Sequence, residues 1–238
     1  MLDRNDESFV KNMNVLFTGD SIIAGAGSID DNRSGKSLPS ADKKGIFKKQ
    51  LGKRNFISQL IRDLNNRFQN INIHQHGYSS TNSTFIRERI CSSEMHYDLI
   101  FLCVGMNNRK SIDGISTLEK DIQSIISYCN SNNVKLILFT YPPVSTVDDS
   151  QPNRIFKSTD VNEMIVNISK INNIELIDLY SLLLIEYEKL NIDINSYPFE
   201  EYDGLHPSQT MHDIIYQTVR DLVIERYQAL ISNEKLTF

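Results

Sequence analysis

The chain has 238 residues, 40% of them apolar and 23% charged, with a formal net charge of −5 at pH 7. That length suits one large α/β domain or two small ones; with no linker-like shift, low-complexity tract or internal repeat, one domain over 1–238 is expected. The mild charge argues against a nucleic-acid surface, and no apolar run approaches the length that spans a bilayer.

The stretch Met1 to Glu7 is charged and lacks a signal-peptide apolar segment, so a cytoplasmic protein without stable membrane insertion is expected. Cys91, Cys103 and Cys129 are odd in number and lack metal-ligand spacing, which fits buried free thiols in a reducing compartment.

In chain order, the first predicted strand runs from Asn14 to Thr18 and exits into Gly19-Asp20-Ser21. A long polar insertion, 25–53, follows; its basic cluster of Lys43, Lys44, Lys48, Lys49 and Lys53, with Arg54 just beyond, reads first as a solvated loop leading into the next helix and second as a lid or rim that attracts an anionic substrate. Gly35-Lys36-Ser37 within it lacks the leading glycine and strand of a phosphate-binding loop. Phe56, Leu60, Ile61 and Leu64 then recur at helical spacing.

The second strand, Ile71 to His76, ends at Gly77, and the third, Leu99 to Val104, ends at Gly105-Met106-Asn107. Leu118, Ile122, Ile125, Ile126 and Cys129 make the next helical stripe. The fourth strand, Val134 to Thr140, leads into an irregular stretch from Tyr141 to Asp160. Val161, Met164, Ile165 and Ile168 mark a helix, Ile174 to Ile177 a short fifth strand, and Met211 to Leu230 the last helix. Continuous apolar runs in strands three and four fit a parallel sheet buried on both faces. The alternation predicts a doubly wound α/β sandwich with right-handed crossovers.

A serine hydroxyl needs a base to take its proton as it attacks. Histidine, with an ordinary pKa of about 6.5, suits that task, and a carboxylate fixes its tautomer and stabilises the imidazolium. Asp203 and His206 are three residues apart, so one loop can present both to Ser21. The oxyanion needs preorganised donors; backbone N–H groups at Ser21 and Gly77 and the carboxamide of Asn107 all fall at the same predicted sheet edge.

Gly19-Asp20-Ser21, Gly77, Gly105-x-Asn107 and Asp203-x-x-His206 together resemble the four ordered blocks of the SGNH, or GDSL-type, hydrolases, from about residue 12 to residue 223. The resemblance implies a flavodoxin-like three-layer α/β/α sandwich of about five parallel strands. It also implies esterase, thioesterase or acyl-hydrolase activity without metal or other cofactor. Ser21 would be the nucleophile, His206 the base and Asp203 its orienting carboxylate, with Ser21, Gly77 and Asn107 as the oxyanion hole. The sequence departs from the pattern at Asn108, where an aspartate is usual, at Ile22, where leucine is common, and at Ser208-Gln209-Thr210-Met211, where a glycine is frequent.

An α/β-hydrolase elbow would need Gly-x-Ser-x-Gly, and Ile23 stands in place of the second glycine. The residues also have bland readings: Ser21 as a helix N-cap, Asn107 as a turn residue, Gly77 as a plain strand end. His74 and His76 share a strand face without a third ligand, and His96 and His212 read as surface or helix-face residues. The expected substrate is a small-molecule acyl ester with a short, acetyl-like acyl group on a polar carrier such as a carbohydrate. Longer-chain lysophospholipase or thioesterase action, O-acyl transfer, and an inactive binding module are the alternatives.

Overall fold

The computed structural model describes residues 12–28, 54–195 and 204–234. Five parallel strands form one sheet in the order β2-β1-β3-β4-β5: β1 Met13–Gly19, β2 Ile71–Gly77, β3 Leu99–Cys103, β4 Lys135–Phe139 and β5 Glu175–Ile177. Each expected strand is present, within two residues of its predicted ends. Register runs Met13 to Ile71 through Gly19 to Gly77 on one side of β1 and Val15 to Leu99 through Gly19 to Cys103 on the other. The sequences LIFLC and KLILF fill β3 and most of β4 with apolar residues because both faces of these central strands are covered.

Helices pack on both faces. On one side α1 (Ser21–Ala24), α2 (Phe56–Arg67), α7 (Leu179–Lys189) and α8 (Gln209–Glu234) bury Phe56, Leu60, Leu183, Ile215 and Val219 against Phe17, Phe101 and Phe139. The Phe17 and Phe101 rings stack there at 4.5 Å. On the other side α3 (Ser83–Cys91), α4 (Gly114–Ser131) and α6 (Ser158–Asn172) close over Leu16, Ile100, Leu102 and Leu136. A short α5 (Thr146–Asp149) and a 3-10 turn (Met106–Lys110) lie at the carboxyl ends of β4 and β3. The helical stripes expected from the sequence are the buried faces of α2, α4, α6 and α8.

Strand order reverses between β1 and β3, so the loops after these two strands diverge and leave a crevice at their carboxyl ends. Ser21 follows β1, Asn107 follows β3 and Gly77 closes β2, which brings all three to one edge of the sheet. Most of the polar insertion, including Lys43 to Lys53 and Gly35-Lys36-Ser37, lies outside the described residues, as does Asp203.

Candidate active site

Ser21 is the first residue of α1 and is 6% exposed. Asp20 caps this helix, its Oδ1 accepting from Ile22 N at 3.3 Å, while Ala24 N donates to the Asp20 carbonyl and Ala26 N to the Ser21 carbonyl. The N-cap role that sequence allows for Ser21 therefore belongs to Asp20, and the serine hydroxyl is left for another partner. That partner is His206: its Nε2 lies 2.9 Å from Ser21 Oγ, across 185 residues of sequence.

Several contacts hold the two segments at that distance. Ser145 N donates to the Gly204 carbonyl at 2.9 Å, upstream of His206. Downstream, Gly27 packs on Pro207 so closely that a Cβ on residue 27 would lie 2.0 Å from the Pro207 carbonyl oxygen, and its φ of +87° suits glycine. Of the two expected places for His212, surface or helix face, the structure gives the second: it lies in the first turn of α8 and is fully buried. Its Nε2 lies 2.9 Å from the Ala26 carbonyl oxygen, and its ring stacks on Phe56 at 5.8 Å. A carbonyl only accepts, so His212 carries its proton on Nε2 in this contact. His212 thus ties the helix that follows His206 to the turn that follows Ser21.

Gly77 sits opposite Gly19 at the end of the β1–β2 pair, and Tyr78 N donates to the Gly19 carbonyl at 2.9 Å. A Cβ on residue 77 would lie 2.1 Å from Ala24 N and 2.3 Å from Ala24 Cα. The glycine lets β2 end against the backbone of the helix that carries Ser21.

Asn107 donates from Nδ2 to the Thr81 carbonyl at 2.9 Å and accepts at Oδ1 from Lys110 Nζ at 3.1 Å. Its neighbour Asn108 is buried and ties α3 to the β3 loop: Oδ1 accepts from Ser83 N at 3.0 Å, and Nδ2 donates to Ser83 Oγ at 2.8 Å and to the Gly114 carbonyl at 3.2 Å. A carboxylate at this position could accept the first of these bonds but donate neither of the others. The asparagine is therefore matched to its surroundings.

Asp20 is fully buried, and its Oδ2 has no hydrogen-bond partner among the described residues. Burial pushes its carboxyl from 3.8 to about 7, opposed by the Ile22 N–H and the charges of Lys110 and Arg109. Arg109 is itself fully buried and reaches Asp148 and Asp149 at 2.5 Å each; Arg154 holds the other Asp148 oxygen at 2.6 Å. This ion-pair network links the turn after β3 to the segment after β4. The sequence alone gives no sign of Arg109 and its acidic partners, because the pairing spans about 40 residues and follows no local period.

Among the remaining candidates, the His74 and His76 rings meet edge to face at 6.2 Å, with Tyr97 5.9 Å from His74 and Tyr78 6.4 Å from His76. Among the described residues no cluster of three or more His, Cys, Asp or Glu is arranged to hold a metal ion. Cys103 and Cys129 are buried free thiols, but Cys91 is exposed at the end of α3, against the expectation of burial. His96 is half-exposed beside Asp98, as its sequence context implies.

The doubly wound parallel sheet thus brings a serine and a histidine together at its switch point. The chain belongs to the GDSL-like lipase/acylhydrolase family, whose model matches residues 17–214, and is accordingly a carboxylic ester hydrolase. Among solved structures, the acetyl xylan esterase AlAXEase is similar over 89% of this chain and 100% of its own, with a TM-score of 0.64 and 20% identity. The lipase/acylhydrolase from Enterococcus faecalis covers 90% of this chain and 96% of its own, with a TM-score of 0.62 and 18% identity. Axe2, an acetylxylan esterase from Geobacillus stearothermophilus, covers 88% and 94%, with a TM-score of 0.61 and 17% identity. At these identities the likeness is one of fold. No curated protein matches the sequence. Among the described residues no helix is long and apolar enough to cross a membrane.

Proposed function

We propose that the protein hydrolyses a short-chain acyl ester, with Ser21 as nucleophile, His206 as general base and Asp203 as the carboxylate that orients it. The observation that carries this reading is the 2.9 Å approach of His206 Nε2 to Ser21 Oγ. Ser21 Oγ attacks the carbonyl carbon while its proton passes to Nε2, which requires the other proton on Nδ1. The Ser21 backbone N–H and Asn107 Nδ2 receive the developing negative oxygen; on β2 it is the Tyr78 N–H that reaches β1, so the Gly77 N–H faces away from that strand and the glycine serves by its close approach to α1. Collapse breaks the ester C–O bond, and the alcohol leaves with the proton from Nε2. Water then repeats the sequence on the acyl-enzyme: its proton goes to His206 Nε2, the acyl C–Oγ bond breaks to release the acid, and Ser21 Oγ takes the proton back from Nε2.

An acetyl-like acyl group on a carbohydrate is the favoured substrate. Its support is the polar character of the loops at the sheet edge and the fold shared with two proteins named as acetyl xylan esterases. The test is a panel of acetyl, butyryl and longer p-nitrophenyl esters, acetylated sugars and acyl-CoA, with native protein and Ser21→Ala. Turnover is expected to fall with acyl length and to drop by at least about 10⁴-fold in the variant. A flat or rising length profile refutes the short-chain assignment; retained turnover in Ser21→Ala refutes the mechanism.

A further inference from the structure

Asn107 can serve as an oxyanion donor only if its carboxamide presents nitrogen, and not oxygen, to the substrate. An amide placed in a loop has two orientations related by a half-turn, and its hydrogen-bond partners decide between them. Here both partners are unambiguous. An ammonium has donors and no acceptor, so Lys110 Nζ must face Oδ1, which it does at 3.1 Å. A backbone carbonyl accepts and cannot donate, so the Thr81 oxygen must face Nδ2, which it does at 2.9 Å. One amide hydrogen is used by Thr81, and the second remains for a ligand.

Lys110 sits in a setting that reserves it for this contact. The carboxylates nearest to it electrostatically are taken elsewhere: Asp148 is held by Arg109 and Arg154, and Asp20 is fully buried. No carboxylate lies within ion-pair distance of Lys110 among the described residues. Burial and the neighbouring Arg154 and Arg109 lower the ammonium's pKa, while Asp148 and Asp20 act in the opposite direction.

We infer that Lys110 is a positioning residue of the oxyanion hole, locking the Asn107 carboxamide with Nδ2 toward the reacting ester and polarising that amide through Oδ1. A cation on the carbonyl end of an amide draws electron density from nitrogen and makes the N–H a stronger donor, the cooperative effect expected of linked hydrogen bonds. The charge also adds positive potential near the place where negative charge develops, without touching the substrate. The inference rests on the esterase reading above and adds a residue that the family's four sequence blocks do not contain.

The experiment measures kcat and KM for p-nitrophenyl acetate with Lys110→Met, Lys110→Arg, Asn107→Ala and the double variant Lys110→Met/Asn107→Ala, alongside Ser21→Ala. Removing an oxyanion donor costs about 10²–10³-fold in kcat. A residue acting through that donor is expected to cost less, about 10–30-fold for Lys110→Met, with KM changed by less than about 3-fold. Arginine keeps a cationic donor for Oδ1 and is expected to recover kcat to within about 3-fold of native. In the Asn107→Ala background, Lys110→Met is expected to change kcat by less than about 2-fold, since the group it acts on is gone.

Full kcat in Lys110→Met, or an additive loss in the double variant, overturns the inference even if Ser21→Ala is inactive and the esterase reading stands. If Ser21→Ala retains native turnover, the esterase mechanism fails and the inference falls with it. Thermal unfolding of each variant separates the effect from misfolding. Lys110 is exposed enough that a midpoint unchanged within about 2 °C is expected, and a loss of kcat that follows loss of fold counts against the inference.

Discussion

Gly77→Ala tests whether the end of β2 must touch the helix that carries Ser21. A Cβ at this position would meet Ala24 N at 2.1 Å, Ala24 Cα at 2.3 Å and the Ile23 carbonyl carbon at 2.6 Å. Comfortable carbon contacts lie at about 3.5–4.0 Å, so a separation of more than 1 Å must be created. The atoms in the way are backbone, and no rotamer change relieves them. Either β2 retreats from β1, at the cost of the Tyr78–Gly19 bond, or α1 is displaced and carries Ser21 away from Asn107, which is anchored separately through Thr81 and Lys110. Overpacking of this kind costs about 1–3 kcal/mol of stability, and a nucleophile misplaced by about 1 Å costs about 10²-fold in rate. Both are expected together, in a urea titration and in kcat for p-nitrophenyl acetate. The substitution leaves the residue 77 backbone N–H in place, so a role confined to donating that hydrogen predicts little change. Native stability and native kcat in Gly77→Ala would refute the steric argument.

Asp20→Asn is expected to abolish a pH-dependent cost of folding. The folded carboxyl titrates at about 7 and the unfolded one near 3.8, so between these values the folded state binds the extra proton and stability falls as pH rises. At about 1.4 kcal/mol per pH unit the interval amounts to about 4 kcal/mol, complete above pH 7. Urea titrations at pH 4 and pH 8 should therefore show the variant gaining on the native protein with rising pH, and parallel profiles would contradict the burial argument. Arg109→Met leaves Asp149 without its buried partner and strips one of the two cations from Asp148. A loss of about 3–5 kcal/mol is expected, read by the same titration, whereas a neutral effect would show that the network merely compensates its own desolvation.

The sheet was legible because β3 and β4 are short unbroken apolar runs, and its parallel sense follows from alternation with amphipathic helices. Besides the four-residue α1 and α5, two longer helices escaped, for opposite reasons. In α3 only Ser83, Ile86 and Ile90 are buried among charged neighbours, too thin a stripe to stand out. In α7 the run LYSLLLIEYEK is apolar nearly all round, and Leu184 and Ile185 remain exposed, so no single face is marked. Ser21 and His206 could be singled out, and their meeting at 2.9 Å anticipated, because their residue types and order carry chemistry. His212 could not, since an isolated histidine on a helix gives no sign that Phe56 and the Ala26 carbonyl will enclose it. Arg109-Lys110 reads locally as a solvated basic pair, and only the return of Asp148 and Asp149 from beyond β4 buries the arginine.

On the proposed mechanism, the residues that carry the reaction and those that fix its geometry are different sets. Ser21 and His206 come from opposite ends of the chain, and neither lies on an element long enough to hold it unaided: α1 has four residues, and His206 precedes α8 in an irregular segment. Their separation is set by three attachments on neighbouring loops, Gly27 on Pro207, His212 on Ala26 and Ser145 on Gly204. Two of these reach back to the turn that ends α1, so the histidine loop is fastened to the same short helix whose first residue it faces. A displacement of α1 would then carry part of the loop with it and partly preserve the Ser21–His206 distance. It would not preserve the distance from Ser21 to Asn107, which is anchored independently through Thr81 and Lys110. Strain introduced at α1, as by Gly77→Ala, should therefore act on stabilisation of the oxyanion more than on proton transfer between Ser21 and His206.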